Sequence, residues 1–300
     1  MGRNMAAINH PFRVFQSMGN GYDIDVDATM TAFPNIEPGI PARKHTRLAV
    51  PGVEARAAIR PEVDWAFDFS FAFQPIVDVR SRDIVSYEAL VRGPQGEPSR
   101  TVLDKVRLMD FPRFDSACHR RAIALAAQLR LPAKLNLNLA ARNIAELQHV
   151  MTATHQACLE CGFPMENIIV ELVETGSQAG QAYLLQALRI VQALGFSTAI
   201  DDFGSGYSGL QLLVDHQPHY IKVDRHLIGG IQQDVVRQRI FLGFWRICNS
   251  LAIHVVAEGV EQAGEYLWLQ EAGVRYFQGN YFASPAFEKL PEVSHRVYCG

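Results

Sequence analysis

The stretch "FAFQPIVDVRSRDIVSYEALVR" occupies residues 71–92 and sets two runs rich in β-branched and aromatic residues on either side of "RSRD" at 80–83. So few residues can close a hairpin but not a parallel crossover, which needs a dozen or more, so this pair is expected to be antiparallel. Downstream the pattern changes. The runs "KLNLNLA" (134–140), "IIVELVE" (168–174), "STAIDDF" (197–203), "YIKVD" (220–224), "HVVAEGV" (254–260) and "YFQGNYFA" (276–283) bring the strand candidates to eight. Between most of them lie segments such as "DSACHRRAIALAAQLRL" (115–131), "QAYLLQALRIVQALG" (181–195) and "DVVRQRIFLGFWRICNSLA" (234–252), apolar at every third or fourth position. Alternating strand and helix predict an α/β fold with a parallel sheet, and eight strands predict closure into a barrel modified by its antiparallel first pair.

Composition sets the bounds. The chain has 300 residues, 48% of them hydrophobic and 20% charged, with a net charge of −3, which describes a globular protein with ample core. That balance carries no electrostatic footprint for a nucleic acid polymer or an anionic membrane surface. The apolar runs all fall short of the ~20 residues of a membrane helix, so no membrane span is expected. Five cysteines, Cys118, Cys158, Cys161, Cys248 and Cys299, are an odd and sparse set. Together with a start that lacks a signal-peptide core, they read as a cytoplasmic protein. The "CLEC" of 158–161 lies in a helix-like stretch and reads as small buried thiols, and His216 and His219 read as loop residues around Pro218. Residues 1–65, punctuated by Pro and Gly without sustained periodicity, read as an extension or linker, and 66–300 as the folded domain.

Polar residues recur near the C-terminal ends of the predicted strands: Glu88, Asn138, Glu171, the adjacent Asp201 and Asp202, Lys222, Glu258 and Gln278. Each alone has an ordinary explanation, as a helix cap, a rim ion pair or an amide that satisfies loop backbone. In a parallel barrel, however, those strand ends share one rim, where active sites are built. Several carboxylates with one lysine call for a compensating charge. Hard divalent cations such as Mg²⁺ or Mn²⁺ favour such oxygen ligands, and a pair of them suits the attack of water on a phosphodiester.

These same residues carry a resemblance. The region 67–290 resembles the EAL domain, the bacterial cyclic di-GMP phosphodiesterase module. The match runs through "EAL" at 88–90, "NLA" at 138, "ELVE" at 171, "DDFGSGYSGL" at 201, "IKVD" at 221, "AEGVE" at 257 and "QGNYF" at 278. The resemblance implies a modified TIM (β/α)8 barrel with one antiparallel strand, two Mg²⁺ or Mn²⁺ ions, and hydrolysis of cyclic di-GMP to linear pGpG; Ca²⁺, with its longer bonds and looser coordination, is expected to be inhibitory at such a closely spaced pair. It assigns Glu88, Asn138, Glu171 and Asp201 to one metal. Asp201 and Asp202 are assigned to the second, with Glu258 nearby. Lys222 orients or helps activate the attacking water, Glu258 is a candidate proton acceptor, and Gln278 lies near the metal–water cluster. Glu174 steadies the loop that begins at Asp202, and Gln74, Leu90 and Arg92 resemble substrate contacts. Family members often dimerise near that loop, so a homodimer is expected.

Departures from the pattern are mild: Val173 and Ser205 stand where Thr is common, Gly209 where Ser is common, and Gly93 where an aromatic is frequent. None removes an expected ligand. Two rivals to the enzyme remain at this point. One is a catalytically weak cyclic di-GMP receptor that signals through a protein partner, and the other a metal-dependent barrel enzyme in which Lys222 acts as a base toward carbon.

Overall fold

The computed structural model describes residues 67–140, 143–173, 178–204, 209–294 and 297–298. The expected extension 1–65 lies outside them. Strands β1 (Ser70–Asp78) and β2 (Asp83–Arg92) are followed by helices α1 (Ser99–Leu103) and α2 (Phe111–Gln128). Next come β3 (Lys134–Leu139), α3 (Ile144–Cys161), β4 (Ile168–Val173), α4 (Gln178–Ala193), β5 (Ser197–Phe203) and α5 (Gly209–Asp215). Strand β6 (Tyr220–Val223), the short α6 (Arg225–Ile228), α7 (Val235–Ser250), β7 (His254–Ala257), α8 (Ala263–Glu271), β8 (Tyr276–Phe277) and β9 (Ala286–Phe287) complete the order.

The strands β2 to β8 lie side by side in chain order, each parallel to the next, and β1 closes the barrel between β8 and β2. It runs antiparallel to both neighbours, as the short "RSRD" connection predicts. The reversal matters for the site: the first half of β1 lies at the rim where the other strands end, so Gln74 stands opposite Glu88. The two-residue β9, which sequence periodicity does not reveal, adds to β1 at Ala72 and Phe73.

Strand alternation divides the barrel into an outer and an inner face. Leu135, Leu137 and Leu139 of β3, Ile168, Val170 and Leu172 of β4, and Ile221 and Val223 of β6 point outward into the apolar cluster shared with Leu147, Met151, Leu188 and Phe241 of the helices. The inner faces are different. Ser86, Ile169, Ala199, Tyr220, Val256 and Tyr276 line an interior cavity of about 260 Å³, and each precedes a polar rim residue by two positions. The barrel therefore carries a mixed layer of modest side chains beneath a layer of charged ones.

Of the "CLEC" thiols expected to be buried, Cys158 is buried and Cys161, at the last turn of its helix, is half-buried. Cys118, Cys158, Cys161 and Cys248 are free thiols, and the first three sit on α2 and α3. His216 pairs with Gln192 Oε1 at 2.8 Å, and His219 Nδ1 accepts from the Thr198 backbone at 3.1 Å, so both histidines act as structural loop residues. Among the described residues no helix is long and apolar enough to cross a membrane.

Candidate active site

Lys222 is the centre of the rim. It stands on β6 with an inward side chain of 0% exposure, and its Nζ donates to Glu88 Oε2 at 3.0 Å and to Glu171 Oε2 at 3.2 Å. Asp201 Oδ1 and Glu258 Oε2 lie 3.1 and 3.2 Å from the same nitrogen. Strand register explains the convergence. Glu88 is level with Asn136, Asn138 with Glu171, and Lys222 with Val256, so the barrel's stagger brings residues from five strands to one height. Backbone bonds from Glu258 to Val223 and from Gln278 to Ala257 extend the ladders just past β7 and β8 and fix those two residues at the mouth. Beyond them, Gly279 has φ +153°, and a Cβ there would lie 2.1 Å from Val260 O, so only glycine lets the two loops cross.

Three amides surround the carboxylates. Asn138 Nδ2 donates to Glu88 Oε1 at 2.9 Å, and Gln278 Nε2 donates to Glu88 Oε2 at 2.7 Å and to Gln74 Oε1 at 3.2 Å. Asn136 Nδ2 donates to Glu171 Oε1 at 2.7 Å. Asn136 was not singled out by the sequence reading, which weighed only the end of "KLNLNLA". The strict alternation of that run nevertheless puts 136 and 138 on one face.

The electrostatics follow from burial and crowding. Burial alone would lower the Lys222 ammonium, but Glu171, Glu88, Glu258 and Asp201 outweigh it and hold the group protonated well above the usual lysine range. Burial would raise Glu88, yet Lys222 and the amides of Asn138 and Gln278 bring its carboxyl below the ordinary value. Glu171 has the opposite balance: burial and then the Glu88 charge push it well above the carboxylate range. Burial drives Glu258 up to about 9, and burial followed by the Asp201 charge raises Asp202. One ammonium cannot satisfy so many acceptors. Asp201 Oδ1 and Glu258 Oε2 are buried without an aligned hydrogen bond despite their nearness to Lys222, and Asn136 Oδ1 and Gln278 Oε1 also lack one.

This surplus fits a hard cation. Oxygens of Glu88, Glu171 and Asp201 lie within 4.8 Å of one another, a spread that one ion could span. Asn138, exposed at the mouth, uses its amide nitrogen toward Glu88 and leaves its carbonyl oxygen for a ligand role. Asp202 occupies an irregular step in β5. Its φ is +55°, and the pairing with β6 skips between Ile200 and Phe203. That bulge releases the acid from strict alternation and leaves it half-buried, within electrostatic reach of Asp201, Lys222 and Glu88.

The expected substrate contacts occupy the surrounding rim. Gln74 is half-buried and donates to Ala283 O at 3.1 Å, Leu90 is half-buried, and Arg92 Nη1 donates to Val91 O at 2.8 Å. The Gly93 position is covered by Glu97, whose carboxyl would meet a Cβ at 2.4 Å. Glu174, expected to steady the loop after β5, lies outside the described residues, as does most of "GSGYSGL".

The chain matches the family model "EAL domain" over residues 58–285. It is 32% identical over 225 residues to the blue light- and temperature-regulated antirepressor BluF of Escherichia coli, covering 75% of this chain and 56% of that protein. It is also 32% identical over 160 residues to the cyclic di-GMP phosphodiesterase PdeR of Escherichia coli, covering 52% of this chain and 24% of that protein. The chain thus spans about half or less of the length of these curated relatives. Among solved structures, the cyclic di-GMP-bound form of a standalone versatile EAL protein from Vibrio cholerae O395 superposes with a TM-score of 0.74 at 43% identity, over 77% of this chain and 98% of that one. A carboxylate-lined rim on a barrel with one reversed strand, matched along most of its length, makes this chain a member of the EAL domain family.

Proposed function

We propose that this chain hydrolyses cyclic di-GMP to linear pGpG and so lowers a bacterial second messenger. The observation that carries the reading is the set of buried oxygens from Glu88, Glu171 and Asp201 within 4.8 Å, left with more acceptors than Lys222 can serve. In the proposal Glu88, Asn138, Glu171 and Asp201 hold one divalent cation, and Asp201 and Asp202, with Glu258, hold a second. Bound Mg²⁺ or Mn²⁺ would supply Lewis acidity and lower the pKa of a water at neutral pH. Lys222 orients that water and stabilises charge developing on the phosphate, Glu258, which a neighbouring cation would hold ionised although burial keeps it protonated in the metal-free protein, accepts its proton, and Gln278 fixes Glu88. Gln74, Leu90 and Arg92 bind the dinucleotide, Arg92 as a fork for phosphate oxygens. Glu174 steadies the loop after Asp202.

The relatives support this reading in their own terms: one is named a cyclic di-GMP phosphodiesterase, and the structural neighbour holds cyclic di-GMP. The antirepressor BluF keeps a second reading in view, a receptor that binds the dinucleotide and signals through a protein. Incubation of the purified chain with cyclic di-GMP and Mg²⁺ or Mn²⁺, followed by separation of products, decides between them. A pGpG peak supports the enzyme, and tight binding without product supports the receptor.

A homodimer is part of the proposal. Helix α7 exposes Val236, Ile240 and Ile247 at helical spacing, and Val214 of α5 is exposed as well, an apolar surface suited to a second copy. We further propose that 66–300 is the catalytic unit, that 1–65 is an extension, and that the protein works in the cytoplasm, where the free thiols seen here persist.

A further inference from the structure

We infer that Asp115 and His119 on α2 form a clamp that positions Asn138 at the rim, and that they act on cation binding through it. The clamp rests on the reading of Asn138 as a metal ligand.

Strands β2 and β3 pair only as far as Glu88 and Asn136, so beyond that point they part and the end of β3 loses its ladder on that side. Helix α2 fills the gap. His119 Nε2 lies 2.9 Å from Asn138 O, and Asp115 Oδ2 accepts from Ala140 N at 2.8 Å. The two residues stand one turn apart on the buried face of α2, at 1% and 6% exposure, and hold the two peptide units on either side of Leu139, immediately after Asn138. A carbonyl can only accept, so the His119 proton is on Nε2. Burial brings the ring's pKa down to about 4, and the neutral ring leaves Nδ1 as an acceptor, 2.7 Å from the Thr154 hydroxyl, whose single proton then turns to the ring rather than to Val150 O, 2.8 Å away. Thr154 on α3 thus fixes the ring, the ring fixes the carbonyl, and the carbonyl sets the direction in which the Asn138 side chain leaves the strand. That side chain itself reaches Glu88 at 2.9 Å. None of the charged rim groups touches His119, so its role is to hold the geometry of a ligand.

Asn and Gln replacements separate the two ring nitrogens. His119→Gln places an amide near the position of Nε2 and keeps the bond to the Asn138 carbonyl. His119→Asn reaches only as far as Nδ1 and keeps the bond to Thr154. Mn²⁺ titrations of the full chain, read by electron paramagnetic resonance of the free ion, measure binding apart from activity, and melts of the metal-free proteins monitor the fold. His119→Asn is expected to weaken Mn²⁺ binding about 10-fold or more, with His119→Gln within about threefold of the parent. Asp115→Ala, at the other bond of the clamp, is expected to weaken Mn²⁺ in the same direction. Parent-like Mn²⁺ affinity in His119→Asn or in Asp115→Ala overturns the clamp. Glu88→Gln is the control for the site itself: if it loses Mn²⁺ while the α2 variants do not, only the clamp fails. If Glu88→Gln binds Mn²⁺ like the parent, the reading of the rim as a metal site fails and takes the clamp with it.

Discussion

Replacing Lys222 with Met tests the rim most directly, because it removes the cation at its centre and keeps an unbranched side chain of similar length. Lys222 Nζ lies 3.0, 3.2, 3.1 and 3.2 Å from oxygens of Glu88, Glu171, Asp201 and Glu258, with no exposure of its own side chain. Removing one partner from a buried charge cluster typically costs about 3–5 kcal/mol, since the remaining charges stay desolvated and unpaired. For a domain of this size each kcal/mol moves the melting temperature by roughly 2–4 °C, so the metal-free variant should melt roughly 6–20 °C below the parent. Proton uptake by the carboxylates softens the loss, which should be smaller at pH 6 than at pH 8. Cation binding opposes it too: an ion present at about 100 times its Kd adds about 2.7 kcal/mol of stability. Mn²⁺ should therefore recover much of the melting temperature but not turnover, which should stay about 10²–10³-fold low for want of a preorganised charge. Thermal melts with EDTA and with Mn²⁺, paired with product analysis, measure both effects. A metal-free Lys222→Met protein that melts at or above the parent temperature would refute the view that Lys222 is the counter-charge of the cluster.

Glu88→Gln should abolish pGpG formation and lower the metal-free melting temperature less than Lys222→Met does, because Glu171, Asp201 and Glu258 still surround the Lys222 ammonium after the Glu88 charge is lost; near-parent turnover would show the metal assignment to be wrong. Ca²⁺ should compete with Mg²⁺ but support little hydrolysis, since its longer, looser coordination disturbs a closely spaced pair of ions, and equal rates in the two ions would count against that pair. The metal-free protein should lose stability as pH rises from about 6.5 to 9, above the range in which buried His119, its pKa lowered from 6.5 to about 4, contributes the opposite slope. Glu258 is held protonated up to about 9 against an ordinary 4.5, so in that window the folded state binds a proton that the unfolded state does not. The slope is then about −1.4 kcal/mol per pH unit for such a group. Glu171 adds with the same sign, while the lowered Glu88 and the raised Lys222 titrate outside the window. Melts in EDTA across this range check the sign: a melting temperature that climbs with pH would contradict it, and Glu258→Gln should flatten the profile.

The antiparallel first pair was legible from the length of "RSRD" alone, because chain reach decides which connections are possible. The rim was legible because a parallel barrel collects strand ends whatever their separation in sequence. Gln74 shows the limit of that rule: it lies in the first half of its strand, and only the reversal of β1 brings it opposite Glu88. Asn136 shares its face with Asn138 by alternation, but it lies one step below the strand end, a level at which the following strands carry apolar or small residues such as Ile169 and Ala199. His119 and Asp115 were not readable at all. They sit on a helix, some twenty residues before the strand they hold, and nothing in "DSACHRRAIALAAQLRL" distinguishes an inward histidine that bonds a carbonyl from one that merely packs. The two-residue β9 is too short for any periodicity to show.

The adjacent acids of "TAIDDF" present the sharpest local conflict. A regular strand sends consecutive side chains to opposite faces, so Asp201 toward the rim would leave Asp202 among the outward apolar cluster, where a carboxylate is costly to bury. The chain resolves this with a bulge. Asp202 takes φ +55°, the pairing with β6 slips, and Phe203 then stands opposite Val223 and packs outward, where its ring stacks on Phe244 at 4.5 Å. A left-handed conformation costs of order 1–3 kcal/mol for a residue other than glycine, though Asp and Asn tolerate it best. The strand thus gives up ladder regularity at the one step that lets two consecutive acids serve one rim while the next residue returns to the core. Glycine at 204, with φ +99°, continues the departure from strand geometry that Asp202 begins. An unstrained strand could have offered only one of the two carboxylates, so the proposed division of Asp201 and Asp202 between two neighbouring cations depends on this bulge.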